Sequence, residues 1–299
     1  MHPIFSTPPA HLIADRTAAT ICLGSSARRI VCLTATGFDV LAELGIEPVG
    51  GSASEVAEQL EFYGEGAQAW PRVGSWLWPS FKTLQSLQPD LILAWQFPHR
   101  FYQSRLAQIA PVYLMGGSGY EEAVLRLLDV ASLTGKMAAA EAAFASLEQQ
   151  LQTYRHRLQT VPPKTVAVMG GSTLNRVVNR YPVETETGTL GSLLRQFTHF
   201  PWAKPDPNRG EPGLTYLSLA AIAANDPDVI LLQSYAPTAT PLSQQLAGHR
   251  VWRSLKAFQT QQIHEIPQYW HWGNGTRLMG VMVERVLPLI YPGVSGIGC

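Results

Sequence analysis

Two stretches of the chain share one pattern of apolar and polar positions. In each, apolar residues at helical spacing (Phe81, Leu84, Leu87; then Leu217, Leu219, Ile222) run into a Pro-Asp pair. An unbroken apolar run follows each pair, Leu91 to Trp95 after Pro89-Asp90 and Val229 to Gln233 after Pro227-Asp228. Proline ends a helix because its ring lacks the donor and forbids αR geometry to the residue before it. A short apolar run straight after that stop predicts a strand buried on both faces, the mark of a parallel sheet. Two such half-chains predict two similar lobes with a cleft between them.

The rest of the pattern alternates in the same way, as in βαβ units. Strands are predicted at Thr20 to Leu23, Arg29 to Leu33, Pro48 to Gly51, Leu91 to Trp95 and Val112 to Met115. Between them fall helices over Phe38 to Leu44, with Gly45 as the closing residue, Phe101 to Ile109, and 120–135. From Met137 the apolar positions are Ala140, Phe144, Leu147, Leu151, Tyr154 and Leu158, with no Gly or Pro before Pro162. That predicts one helix of about 23 residues, roughly 34 Å long, able to cross the back of both lobes. A coiled-coil strand awaiting a partner is the alternative reading.

After Pro162-Pro163 the alternation restarts. A strand is predicted at Thr165 to Met169, a turn at Gly170-Gly171-Ser172, a helix at Gly191 to Phe197 and a Pro- and Gly-rich loop over 201–213. The second Pro-Asp unit follows, then a helix at His249 to Phe258, a strand at Ile263 to Ile266 and a last helix from Asn274 to Leu287, ending before Pro288. The fold class is therefore α/β, with an N-terminal lobe over 1–136, an interdomain helix over 137–160 and a C-terminal lobe over 161–299.

Composition narrows the function. With 46% apolar and 15% charged residues and a formal net charge of +0, nothing favours nucleic acid or an anionic membrane as partner. No apolar stretch reaches the roughly 20 residues of a spanning helix, and Met1 to Ala10 hold no leader-like apolar core. Cys22 and Cys32 lie in apolar runs and read as buried small hydrophobes, although a bridge between them stays open; Cys299 ends a Gly-rich tail. Neither a P-loop, nor G-x-S-x-G, nor a G-x-G-x-x-G opening a helix occurs, so catalytic residues are not assigned and a non-enzyme is expected.

The order of these phrases resembles the periplasmic substrate-binding proteins of ABC importers for ferric siderophores, heme and cobalamin. The likeness covers about residues 15–292 and rests on Arg28-Arg29-Ile30-Val31-Cys32-Leu33, Phe38 to Gly45, Tyr102 to Val112 and Tyr269-Trp270-His271-Trp272-Gly273. The resemblance implies two Rossmann-like lobes joined by one rigid helix, a ligand held between them, a location in the periplasm or on the outer face of the cell membrane, an ABC permease as partner and a monomer. It also implies an acidic docking residue early in each repeat helix. Lys82 and Ala220 stand there instead, so either Glu47, Glu55, Glu184 or Glu211 substitutes from elsewhere or the chain does not dock in the usual way.

With the lobes facing each other, the loops after the strands line the cleft. They carry Thr36, Trp76, Trp78, Trp95, His99, Arg100, Tyr102, Arg176, Arg180, Tyr181, Tyr235, Trp270, His271 and Trp272. Trp202 and Trp252 read as packing. Indole and phenol rings give broad contact at low entropic cost, and arginine offers a planar, permanently charged fork for carboxylates. The set suits a large, flat, partly apolar anion, and the expected ligand is a ferric chelate of siderophore or citrate type. His99, His199 and His271 lack metal-ligand spacing, so iron(III) is expected to arrive inside its chelator, without a cofactor or a protein metal site. Two readings stay beside this one: a corrinoid or heme receptor of the same fold, and an intracellular ligand sensor without a transport role.

Overall fold

A computed structural model describes residues 13–14, 20–21, 23–202, 213–235 and 240–293. Cys22, Cys299, Glu211, Pro237 and most of the 201–213 loop lie outside the described residues. The described chain divides into two compact units. One holds the residues up to Gly116, Ala123–Ser146 and Gly275–Arg277; the other holds Gly117–Glu122, Leu147–Asn274 and the residues from Leu278 on.

The first unit is built on a four-stranded parallel sheet in the order Gly50–Gly51, Ile30–Cys32, Leu91–Trp95, Val112–Met115. Alternate residues of each strand feed opposite cores. Ile30, Cys32, Leu91, Leu93, Tyr113 and Met115 pack with Phe38, Leu41, Leu127 and Val130 on one face. Val31, Leu33, Ile92, Ala94, Val112 and Leu114 pack with Leu84 and Leu106 on the other. Burial on both faces explains why these strands read as continuous apolar runs.

The second unit has five strands, in the order Ile263–Glu265, Val229–Ser234, Val166–Gly171, Tyr181–Glu184, Leu214–Leu217. The first three are parallel; Tyr181–Glu184 runs antiparallel to both its neighbours. Ala167, Met169, Ile230 and Leu232 pack with Ile222, Leu242 and Trp252. Trp202 and Trp252 are core residues, as the sequence indicates; Trp202 Nε1 donates to the Val166 carbonyl at 2.6 Å.

The repeated Pro-Asp phrase does the same work in both units. The residue before each proline, Gln88 or Asp226, takes a left-handed conformation (φ 45° and 35°) that closes the preceding helical turn. The aspartate after it then clamps the start of the neighbouring strand. Asp90 accepts the backbone N–H of Arg28 and of Arg29, each at 2.8 Å, and its own N–H bonds the Arg29 carbonyl at 2.9 Å. Asp228 accepts the Thr165 N–H at 2.8 Å while its N–H returns to the Thr165 carbonyl at 2.8 Å. Each clamp sets the parallel register, Ile30 opposite Leu91 and Val166 opposite Val229.

Several elements depart from the sequence reading. Leu217 ends a strand rather than opening the second repeat helix, which is Leu219–Ala223 and begins at the Ser218 cap. The stretch from Phe101 to Ile109 is a 3-10 turn over Arg100–Tyr102 followed by a short helix over Gln103–Leu106. The helix expected over His249 to Phe258 breaks at Leu255, which is extended because its side chain is drawn into the core and Asp226 takes the next N–H, that of Lys256. The last helix, Thr276–Ile290, runs on past Leu287 and contains Pro288 in its final turn, where one i→i−4 donor is lost. The long helix Met137–Leu158 is continuous over 22 residues, and the division between the units falls inside it.

Candidate functional site

In open α/β sheets ligands bind beyond the carboxyl ends of the parallel strands. In the first unit that edge is dominated by a tight hairpin. Arg72 bridges in parallel to Gly51, and the chain then turns back on itself. The Ser75 N–H bonds the Trp78 carbonyl (3.2 Å), Ser75 Oγ accepts the Trp78 N–H (3.1 Å), and the Ser80 N–H closes on the Val73 carbonyl (2.6 Å). Gly74 permits this: its φ is +98°, and a Cβ there would lie 2.4 Å from the Trp78 carbonyl oxygen. The turn leaves Trp76 49% and Trp78 67% exposed.

Behind it the loop after Leu91–Trp95 builds a second aromatic layer. Tyr102 packs between Trp78 and Phe81, with ring centroids 6.1 Å from each. Phe97 and Phe101 meet edge to face at 6.1 Å, and the exposed Arg100 guanidinium lies 5.3 Å from the Phe101 ring. Phe97 and Phe101 are 59% and 68% exposed, and neither belongs to the sequence-derived set. Their signal was present in the sequence: phenylalanines beside Pro98 and Arg100, outside any periodic apolar stripe. Trp95 is half-buried against Arg126.

Two expected contributors of this edge, Thr36 and His99, prove internal. Thr36 lies in the helix Ala35–Glu43, which starts three residues earlier than the sequence suggests, and is buried. His99 is 1% exposed, and its Nδ1 accepts the Trp95 N–H at 3.0 Å. Burial pushes its imidazole below the ordinary value, outweighing the backbone groups of Trp95 and Trp76 that favour the cation. His99 thus holds the loop in place as a neutral ring. Lys82 is exposed on its helix.

In the second unit the corresponding edge is organised around Gly170. The Tyr235 ring lies directly over it, so close that a Cβ at position 170 would sit 2.3 Å from the phenol, and the Tyr235 N–H bonds the Gly171 carbonyl at 2.7 Å. Tyr235 Oη is 3.5 Å from His271 Nδ1, and the His271 ring meets Trp272 edge to face at 5.1 Å. Trp272 is exposed; Trp270 and Tyr181 are buried in packing roles. His199 is exposed, and its backbone pairs with Lys164 and Val166. Among the described residues no group of three His, Cys, Asp or Glu side chains is placed to hold a metal ion.

The segment read as a loop from Gly170 to Tyr181 holds a helix, Thr173–Val178, with Arg176 exposed on it and Arg180 just after. Arg180 also donates to the Tyr216 carbonyl at 3.3 Å. Glu184, one of the acidic substitutes for permease docking, is 7% exposed and therefore unsuited to that task. Its Oε2 accepts the N–H groups of Leu190 and Gly191, each at 2.8 Å, and caps the short helix Gly191–Leu194. Burial pushes its carboxyl up to about 7, against the opposing pull of the two N–H donors. Glu55 is exposed, and Glu47 accepts the Trp70 indole N–H at 2.9 Å. Cys32 is a free, buried thiol whose Sγ faces the Thr34 carbonyl at 3.2 Å; burial pushes it up to about 12.

Residues 30–270 match the family model described as "Periplasmic binding protein". The chain belongs to that family. A relative named as a putative ABC transporter substrate-binding lipoprotein, YhfQ of Bacillus subtilis (strain 168), is 23% identical over 250 residues, 80% of this chain and 76% of the relative. The Fe(3+) dicitrate-binding periplasmic protein FecB of Escherichia coli (strain K12) is 26% identical over 274 residues, covering 89% and 85%. The fold matches the crystal structure of Staphylococcus aureus SirA complexed with staphyloferrin B with a TM-score of 0.75 at 17% identity, over 93% of this chain and 98% of that one. The family and these relatives are substrate-binding proteins. Among the described residues no helix is long and apolar enough to cross a membrane.

Proposed function

We propose that this member of the family is a non-enzymatic receptor that captures a ferric chelate of carboxylate or siderophore type outside the cytoplasm and hands it to an ABC permease. One observation carries the reading: a rigid hairpin at the carboxyl edge of the first sheet holds Trp76 and Trp78 out to solvent, with Arg100 and two exposed phenylalanines on the adjoining loop. Exposed large aromatics are costly unless something covers them, and clusters of them mark binding surfaces. Indoles suit the flat rim of a chelate, and a guanidinium suits its carboxylates. Tyr235, His271, Trp272, Arg176 and Arg180 are the proposed counterparts on the second unit, and iron(III) enters as cargo inside its chelator. The names of FecB and of the staphyloferrin B complex support this choice of ligand class.

The proposal includes permease docking by residues other than an acidic pair, since Lys82 and Ala220 occupy those positions and both are exposed. The test is a tryptophan-fluorescence titration of the full chain with ferric citrate, a ferric catecholate, a ferric hydroxamate, heme and cobalamin. Saturable quenching by a ferric chelate at micromolar concentration, weakened at least about tenfold in Trp78→Ala, is the expected result. Binding of heme or cobalamin with no response to any ferric chelate would overturn it.

A further inference from the structure

The short helix Thr173–Val178 presents an apolar face to solvent. Leu174, Val177 and Val178, at i, i+3 and i+4, share one side of it and are 70%, 72% and 54% exposed. This is not a fraying segment. Asn175 Oδ1 accepts from the Ser172 N–H (2.9 Å) and the Ser172 hydroxyl (3.1 Å), and Asn175 Nδ2 donates to the Arg180 carbonyl at 2.9 Å. Asn179 ends the helix at φ 49°, and its Oδ1 accepts the Leu219 N–H at 3.2 Å. Side-chain bonds at both ends fix the helix with its aliphatic face outward, the reverse of the usual arrangement, in which that face packs on the core.

Charge identifies what would cover it. Arg176 and Arg180 are exposed on the same segment, no acidic residue occurs from Ser172 to Val183, and Glu184 is buried. A second copy of the chain meeting this face symmetrically would bring like charges together, which is disfavoured. An occupant with an apolar part and negative charge fits both features. We infer that the chelate carries an aliphatic tail on its anionic, metal-holding head, that Leu174, Val177 and Val178 receive the tail, and that Arg176 and Arg180 face the head. The inference rests on the ferric-chelate reading and narrows it to amphiphilic carboxylate chelates.

The experiment uses one citrate-based ferric chelate prepared in two forms, with an octanoyl tail or with acetyl in its place. Both are titrated against the wild-type chain and against the Leu174→Ser/Val177→Ser double variant, whose changes lie at exposed positions. Each fully buried methylene is worth roughly fourfold in affinity, so the wild type is expected to bind the octanoyl form at least about tenfold more tightly. In the double variant the octanoyl form should fall back to the level of the acetyl form. Equal affinity of the two forms for the wild type, or a preference that survives the double variant, overturns the tail site while leaving the receptor reading intact. Loss of a dimer, or loss of co-sedimentation with phosphatidylglycerol vesicles, in the variant without any tail preference reassigns the face and equally overturns it. Failure of both forms to bind removes the receptor reading and the tail site together.

Discussion

The two units start from one phrase and finish differently. Both use Pro-Asp to end a helical turn, and the Asp carboxylate to clamp the neighbouring strand. Beyond the clamp, the first unit completes an all-parallel four-stranded sheet and holds Trp76, Trp78, Phe97 and Phe101 out to solvent on the loops that follow it. The second adds Tyr181–Glu184 and Leu214–Leu217 through antiparallel pairings and exposes Leu174, Val177 and Val178 on a short helix. The comparison teaches that the repeated part builds the sheet, whereas the chemistry belongs to the unrepeated segments after the strands.

The largest expected difference between the units is in their response to pH. Glu184 has a folded-state value near 7 against an ordinary value of 4.5, so between those values the folded chain holds a proton that the unfolded chain has released. Stability should therefore fall as pH rises from 4.5 to 7 and level off above, by about 3 kcal/mol. Denaturant unfolding of Glu184→Gln across that range should show the slope removed; an unchanged slope would place the titration elsewhere.

Next come the clamps themselves. Asp228 is partly buried and also ion-paired with Lys256, whereas Asp90 serves two backbone N–H groups at an exposed site. Asp228→Ala should cost about 2–3 kcal/mol and Asp90→Ala about 1–2, measured by denaturant midpoints at pH 7. Burial alone would raise the Asp228 carboxyl, but Lys256 and the Thr165 N–H outweigh it and hold it below the usual carboxylate range. Its contribution should therefore persist at neutral pH and disappear on acidification below about 4. Equal costs for the two substitutions would show that the ion pair adds nothing.

A smaller effect is expected from Gly170→Ala. The new methyl group collides with the Tyr235 ring, so ferric-chelate affinity should drop several-fold with little change in the first unit. The matching change there, Trp76→Ala, should weaken binding by about threefold to tenfold. Isothermal titration of each variant with the same chelate checks the two expectations separately; unchanged affinity in either variant removes that ring from the proposed site.

Much of this fold was legible because burial on both faces writes itself as an unbroken apolar run. Leu91–Trp95 and Val112–Met115 were readable to the residue, and Ala140, Leu147, Leu151, Tyr154 and Leu158 of the long helix are buried as their spacing requires. Tyr181–Glu184 and Leu214–Leu217 were not legible. They are four residues long, and the first contains Pro182. The helix Thr173–Val178 escaped because its apolar residues face water. Among candidate site residues, Trp76, Trp78, Arg100, Arg176, Arg180 and Trp272 are exposed. Thr36, His99, Tyr181 and Trp270 are buried, since a polar or aromatic residue after a strand packs inward as readily as outward and only neighbouring side chains decide which.

The hairpin bearing Trp76 and Trp78 is held by its own backbone bonds, by Val73 and by Tyr102 and His99 behind it, while the strands below draw most of their cohesion from other residues. Its four-residue tip, Ser75 to Trp78, is thus a replaceable fingertip. Rewriting those positions offers a route to retargeting the receptor towards new cargo without reopening the question of how the scaffold folds.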